Sequence, residues 1–427
     1  MLKFVTSNAI QISESAIQKK YQKEVDKIQR QMMSSTLPGL EKLGWVNIID
    51  YYSNQQLLAM KKKAQQWKKQ NLKYVLVIGI GGSYLGVRAA IEMVQGSIGF
   101  GHHKFIYIHN MSSSYIYDVI KKIGKNKFSI IVISKSGTTI EPAVTFRIFK
   151  EIMCKNFGKE YCQKMIVAIT DSCSGTLHKL AKANKWTMFY IPDDIGGRYS
   201  TLTPVGMFPM VLAGLDPLEV LKGAKKALDD TKTFSLKSNS AFLYACYRHY
   251  FHVVKKLQIE NFIVYDPSLT MIGEQWKQLF GESEGKSHKA MYPTVSLFTT
   301  DLHALGQYLQ QGTRNFCETT LWVDEPRKDF KLSINDNTDG LKYLDKKTLN
   351  YINEQAFKGT VLAHTKNGKT NNLIIHITRC DSYHYGYLYI WLCRAAMMSG
   401  YLLKINPFDQ PGVEAYKTNM FSLLKRK

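Results

Sequence analysis

Phe128-Ser-Ile-Ile-Val-Ile133 is apolar almost without a break, and Tyr74-Val-Leu-Val-Ile78 and Met165-Ile-Val-Ala-Ile169 repeat the pattern on either side of it. A strand with one wet face alternates polar and apolar residues. A run filled with Ile and Val is covered on both faces, as happens when a parallel sheet lies between helices. After each run comes a short loop and a segment with helical spacing: to Val94, from Ile140 to Lys155, and from Thr176 to Asn184. Strands at Phe105–His109 and Trp186–Ile191, with a helix from Ser113 to Ile123, complete the alternation. The pattern predicts an α/β domain with a doubly wound, mostly parallel sheet of about five strands. Loops at the strand C-termini of such a sheet converge on one crevice.

The rest of the chain is arranged around that unit. Residues 1–70 form a helical N-terminal segment, with helices at Glu24–Met33 and Gln55–Lys69 parted by Pro38-Gly39. Residues 71–192 are the first α/β domain. Residues 193–427 open with helices at Pro204–Leu212, Pro217–Leu228 and Asn239–Leu257. They continue as a second α/β domain with strands at Asn261–Tyr265, Thr294–Phe298, Thr319–Val323 and Leu373–Thr378, and close with a helix from Pro411 to about Leu424. Tyr383–Ile405 is the most membrane-like stretch. Arg394 at its centre, with His384, Ser399 and Lys404, makes it a buried helix instead of a membrane span.

The formal net charge of +23 comes mostly from scattered lysines. There is no Arg-rich arm, zinc-finger spacing or aromatic-interleaved basic repeat, so no nucleic-acid partner is expected. The charge suits the steering of an anionic metabolite. The 7 cysteines are odd in number and never spaced C-x-x-C, and no signal peptide is evident. The expectation is a set of free thiols in a reducing cytoplasm.

Four stretches carry chemistry. Ser134-Lys-Ser-Gly-Thr-Thr139 packs hydroxyls and an ammonium in front of a helix N-terminus, a setting for a phosphate monoester. The competing reading is an ordinary strand–turn–helix with Thr139 as N-cap. In Gly79-Ile-Gly-Gly82-Ser83-Tyr84 the third glycine of a dinucleotide fingerprint is replaced by Tyr84. The next strand ends in His109-Asn110 where that fingerprint expects an acid. No P-loop occurs. What remains is a glycine turn at Gly82 and Ser83, able to share one phosphate with the Ser134–Thr139 loop. In Gly196-Gly-Arg198-Tyr-Ser200 the arginine is either a fixed cation or a partner of Asp193 or Asp194.

Gln278 and Glu282 lie four residues apart on one helix face. Glu282 falls at the negative end of that helix, which suits a base that takes a proton and returns it. Glu284 is an alternative that spacing leaves open. His303, just after a potential N-cap at Asp301, falls in a first helical turn, where neutral imidazole is favoured. His249 and His252, without a third ligand, read as packing and not as a metal site. Gln410 marks a helix entrance, and Lys417 is two turns along the same side.

Taken in order, these segments closely resemble the phosphoglucose isomerase family, in its shorter bacterial form. Gly-Gly-Arg198-Tyr-Ser and Phe408-Asp-Gln410-x-Gly-Val-Glu-x-x-Lys417 are its most specific signatures, joined by Glu282-Ser-Glu-Gly-Lys and Asp301-Leu-His303. The resemblance implies two sugar-isomerase domains and interconversion of glucose 6-phosphate and fructose 6-phosphate, with no metal or nucleotide cofactor. By motif, Gly82, Ser83, Ser134, Lys135, Ser136 and Thr139 resemble the phosphate cradle, and Gln278 and Gln410 the substrate-orienting amides. Glu282 resembles the base acting between C2 and C1, and Arg198 the cation that stabilises the enediolate. His303 and Lys417 resemble the ring-opening pair, with the histidine reaching the site from the second subunit of a homodimer. Many members have Thr where Ser136 stands and a bulkier residue at Gly137. The alternatives are a dual-specificity phosphoglucose/phosphomannose isomerase, or a non-catalytic sugar-phosphate sensor.

Overall fold

A computed structural model describes residues 2–98 and 104–425. Two five-stranded sheets organise it. The first contains β2 (Tyr74–Ile78), β3 (Lys104–Ile108), β4 (Phe128–Ile133), β5 (Ile166–Thr170) and β6 (Thr187–Tyr190), ordered β3-β2-β4-β5-β6. Every pairing in it is parallel, with Tyr74 opposite Lys104 on one side and Phe128 on the other. Every residue of β2, β4 and β5 is buried, the burial their composition demands. The chain leaves β2 towards β3 on one side while β4 lies on the other. The loops after β2 and β4 therefore part at a crevice, which is where an open α/β sheet accepts a ligand.

The second sheet contains β7 (Ile259–Val264), β8 (Tyr292–Leu297), β9 (Phe316–Glu325) and β10 (Asn372–Arg379), parallel throughout. Its edge strand, β1 (Lys3–Val5), comes from the very start of the chain and runs antiparallel to β10, pairing Phe4 with Ile375. Three residues are too few for periodicity, and this strand was not foreseen. Between the sheets the chain is helical. The helix Ser382–Leu402 is buried along nearly its whole length, and Arg394 within it donates to the Thr231 carbonyl at 2.6 Å. No described helix is long and apolar enough to cross a membrane.

Three local expectations need correction. The helix that begins at Ile140 runs to Met165, with a kink at Gly158 (φ +83°). That kink folds the chain back so that Cys154 and Cys162 close a disulfide, their Cα atoms 5.8 Å apart, and the cysteines are not all free. A spacing of eight gave no sign of this, because only the reversal at Gly158 makes it possible. The segment Asn239–Leu257 is not one regular helix: it is α-helical over Ser240–His249 and becomes a π-turn over Tyr250–Val254.

A buried ionic cluster backs the helix Thr270–Glu284. Arg248, 2% exposed, binds Glu260 at 2.6 Å and also Glu284, and its guanidinium stacks 4.1 Å from the Phe280 ring centre. Burial pushes the Glu284 carboxyl up while Arg248 pulls it back down. Removing the cation would leave two buried acids, Glu260 and Glu284, without their counter-charge. Arg248→Met is expected to lower stability by ~3–5 kcal/mol, the usual result of unpairing a buried charge, seen as a fall in the urea midpoint.

Candidate active site

The candidate residues lie on the loops after β2 and β4, the Gly197–Tyr199 turn, the end of the helix Thr270–Glu284 and the segment 407–410. After β2 the chain makes a tight 3₁₀ turn, Gly81–Ser83. A Cβ on Gly82 would lie 2.1 Å from the Gly197 carbonyl oxygen, and one on Gly81 would lie 2.7 Å from Gln278 Nε2. These glycines let the loop press against the Gly197-Arg198 turn and the Gln278 amide.

After β4, Ser134–Thr139 folds on itself. Ser134 Oγ accepts from the Gly137 N–H at 3.0 Å, and Ser136 Oγ lies 2.8 Å from Thr138 Oγ1. Thr139 stands at the N-cap position but makes no side-chain capping bond, so capping does not account for its hydroxyl. Lys135 turns aside: its ammonium meets the Pro192 and Asp193 carbonyls and the Asp193 carboxylate at 3.2–3.3 Å. It ties this loop to the chain leaving β6. Gly137 has φ +74°, and a Cβ there would lie 2.3 Å from the Leu177 nitrogen. A bulkier residue would force the loop to move. A phosphorylated ligand held by this loop is expected to bind Gly137→Ala about tenfold more weakly in a calorimetric titration, within the ~1–3 kcal/mol that such backbone strain carries.

Arg198 is 3% exposed, and its five donors are all engaged. Nε donates to Ser283 Oγ at 2.8 Å, and Nη2 to the Pro407 and Asp409 carbonyls at 2.7 and 3.0 Å. Nη1 donates to Glu282 Oε2 at 3.2 Å and to the Gln410 amide oxygen at 2.5 Å. Neither Asp193 nor Asp194 is its partner. The other oxygen of Glu282 accepts from Gln278 Nε2 at 3.0 Å. Arg198, Gln278, Glu282 and Gln410 thus form one connected unit, joined to the glycine turn through Gln278. Glu282 and Gln278 line a cavity of about 490 Å³ beside Tyr84 and Leu85. Glu284 is buried against Arg248, whereas Glu282 faces the cavity.

Lys286 ends the Glu282-Ser-Glu-Gly-Lys signature, which by itself gives the lysine no role. Its ammonium binds the Asn406 carbonyl and the Asp409 carboxylate, the latter at 2.9 Å, closing the end of the Glu282 helix onto the Gln410 segment. The partners are 120 residues or more apart, and no local pattern announces them.

Lys417 pairs with Glu414 at 2.8 Å. That bond, and more weakly the Glu141 carboxylate at the start of the helix after the Ser134–Thr139 loop, hold its ammonium in the charged form. His303 stands apart, exposed on the helix Leu302–Gln311. Asp301 does not cap that helix with its side chain, because its carboxylate already accepts from the Leu297 N–H at 2.7 Å. His249 and His252 pack as expected: Tyr21 OH lies 2.9 Å from His249 Nδ1, and His252 Nε2 accepts from the Ala290 N–H.

The family model for phosphoglucose isomerase matches residues 46–424. The chain belongs to the phosphoglucose isomerase family. It is 46% identical over 395 residues to the glucose-6-phosphate isomerase of Clostridium novyi, covering 90% of this chain and 87% of that one. With the Mycoplasma mobile glucose-6-phosphate isomerase it shares 43% identity over 98% of this chain and 97% of the relative. The crystal structure of a Chlamydia trachomatis glucose-6-phosphate isomerase superposes with a TM-score of 0.84 at 19% identity, over 100% of this chain and 89% of that one. A hypothetical protein from Thermus thermophilus does so at 0.86 and 24%, over 99% and 100%. At those identities the two structures establish the fold alone.

Proposed function

We propose that the chain interconverts glucose 6-phosphate and fructose 6-phosphate. The observation that carries this is the Glu282 carboxylate, held between Arg198 and Gln278 at the edge of a cavity. Aldose–ketose isomerisation needs a base that removes the proton from C2 and returns it to C1, with a cation facing the enediolate that forms between the two steps. Ser83, Ser134, Ser136 and Thr139 hold the phosphate, Gly82 gives the backbone its close approach, and Lys135 braces the loop. The phosphate is remote from the reacting carbons, so its binding orients them. Gln278 and Gln410 position the sugar chain. Arg198 acts through space on the developing negative charge, and its fixed hydrogen bonds leave no reorganisation for the moment of reaction. Lys417, kept charged, and His303 open the ring. No metal or nucleotide enters this scheme.

His303 serves the site of a second copy. It is exposed on a helix whose Leu305 (43%) and Tyr308 (46%), about one turn apart, form an apolar strip that a homodimer would cover. We read the units 71–192 and 193–427 as two sugar-isomerase domains, with 1–70 as their helical preface.

A coupled assay with fructose 6-phosphate and mannose 6-phosphate side by side tests the activity. Turnover of the first alone is expected, and the matched relatives give the dual-specificity and sensor readings no support. Absence of turnover with fructose 6-phosphate would refute the proposal. The dimer has its own test: inactive Glu282→Gln and His303→Ala subunits, unfolded together and refolded at equal amounts, should regain about a quarter of the native sites if each site draws on both copies of a C2 dimer.

A further inference from the structure

A second cavity, of about 1020 Å³, is lined by none of the residues assigned to isomerisation. It runs along the helix Ile140–Met165. Arg147, Lys150, Lys155, Lys159 and Lys185 line it, against only two carboxylates, Glu151 and Glu160, and Glu160 is already bound to Lys164 at 2.6 Å. Both Cys154 and Cys162 open onto this basic space. The remaining described cysteines are unlike them: Cys246, Cys317, Cys380 and Cys393 are buried, and Cys173 is exposed elsewhere.

The pair has the features that thiol exchange requires. Gly158 breaks the helix between the two cysteines, and a Cβ there would meet nothing within 4 Å, so the hinge is open. Cys154 is partly exposed while Cys162 is 4% exposed, which separates an attacking sulfur from a resolving one. The nucleophile in thiol exchange is the thiolate. The cations lining the cavity attract an anionic reagent.

We propose that Cys154 and Cys162 form a reversible dithiol–disulfide site whose basic cavity selects anionic low-molecular-weight disulfides as exchange partners. The Cys154 thiolate attacks one sulfur of the reagent, forming a mixed disulfide and expelling one thiolate. Cys162 then gives its proton to solvent and attacks the Cys154 sulfur, closing the protein disulfide and expelling the second thiolate. The protein dithiol loses two electrons and two protons, and the reagent is reduced to two thiols. Excess anionic thiol drives the reverse reaction.

The test uses the full chain, reduced and freed of reductant, then mixed with oxidised glutathione (anionic) or with cystamine (cationic). Formation of the bridged Cys154–Cys162 peptide is followed by mass mapping after acid quench. Each rate is divided by that reagent's rate with a small neutral dithiol, which removes intrinsic differences in leaving group. The normalised rate with oxidised glutathione is expected to exceed that with cystamine several-fold at low salt. The gap should close at 1 M salt, where the Debye length falls to ~3 Å. It should also close in the double variant Lys155→Glu, Lys159→Glu. Equal normalised rates at low salt would overturn the proposal. So would a stable mixed disulfide at Cys154 that never closes, or modification confined to Cys173.

Discussion

Glu282→Gln is expected to bind the sugar phosphate nearly as well as the native chain and to lose ~10²–10⁴-fold in kcat, the usual contribution of a positioned general base. The substitution is close to isosteric, so the Arg198 and Gln278 contacts can persist while the carboxylate's basicity is gone. Proton exchange between the substrate's C2 and deuterated solvent is the direct readout. It should fall with turnover, since both need the same abstraction. The urea midpoint should hardly move, in contrast with Arg248→Met, because Glu282 borders an open cavity whereas Glu284 and Glu260 are sealed inside. Near-native deuterium incorporation would remove Glu282 from its role.

Arg198→Lys is the second large effect, an expected ~10²–10³-fold loss in kcat, or ~2.7–4 kcal/mol of transition-state stabilisation. Lysine keeps the charge but cannot keep the geometry. Arg198 reaches Ser283, Glu282, Gln410 and two carbonyls at once, and an ammonium has three donors on a flexible stem. The cation would no longer be fixed beside Glu282, and the loop carrying Gln410 would lose its anchor. A loss expressed mainly in kcat, with a modest rise in KM, is the signature expected if Arg198 acts on the enediolate. A change of less than tenfold would show that charge alone suffices there.

Much of this architecture was legible beforehand. Ile and Val runs in β2, β4 and β5 required two covered faces, so the parallel sheet followed from composition and spacing. The helix over Ser113–Ile123 coincides with its expected bounds. The reason for the glycines in the turn after β2 is not local, since the surface they approach is the Gly197-Arg198 turn more than a hundred residues later. The motif sets Lys135 beside the phosphate cradle, and its ammonium is turned to Asp193. The partners of Lys286 and the Cys154–Cys162 bridge have no local signal in the sequence.

The elements with a strong local period are written in the sequence, and its motifs carry the family and the residue types of the candidate site. These depend on neighbours a few residues apart: the covered faces of a strand, the one face of a helix, the glycine a turn demands. Which carboxylate meets the cavity and which is buried depends on long-range packing. Glu282 and Glu284 differ by two positions, hence by roughly 200° around the helix at 3.6 residues per turn. One side of that helix faces Arg198, and the other faces Arg248. Both arginines come from distant parts of the chain, and no local pattern states which side either will occupy.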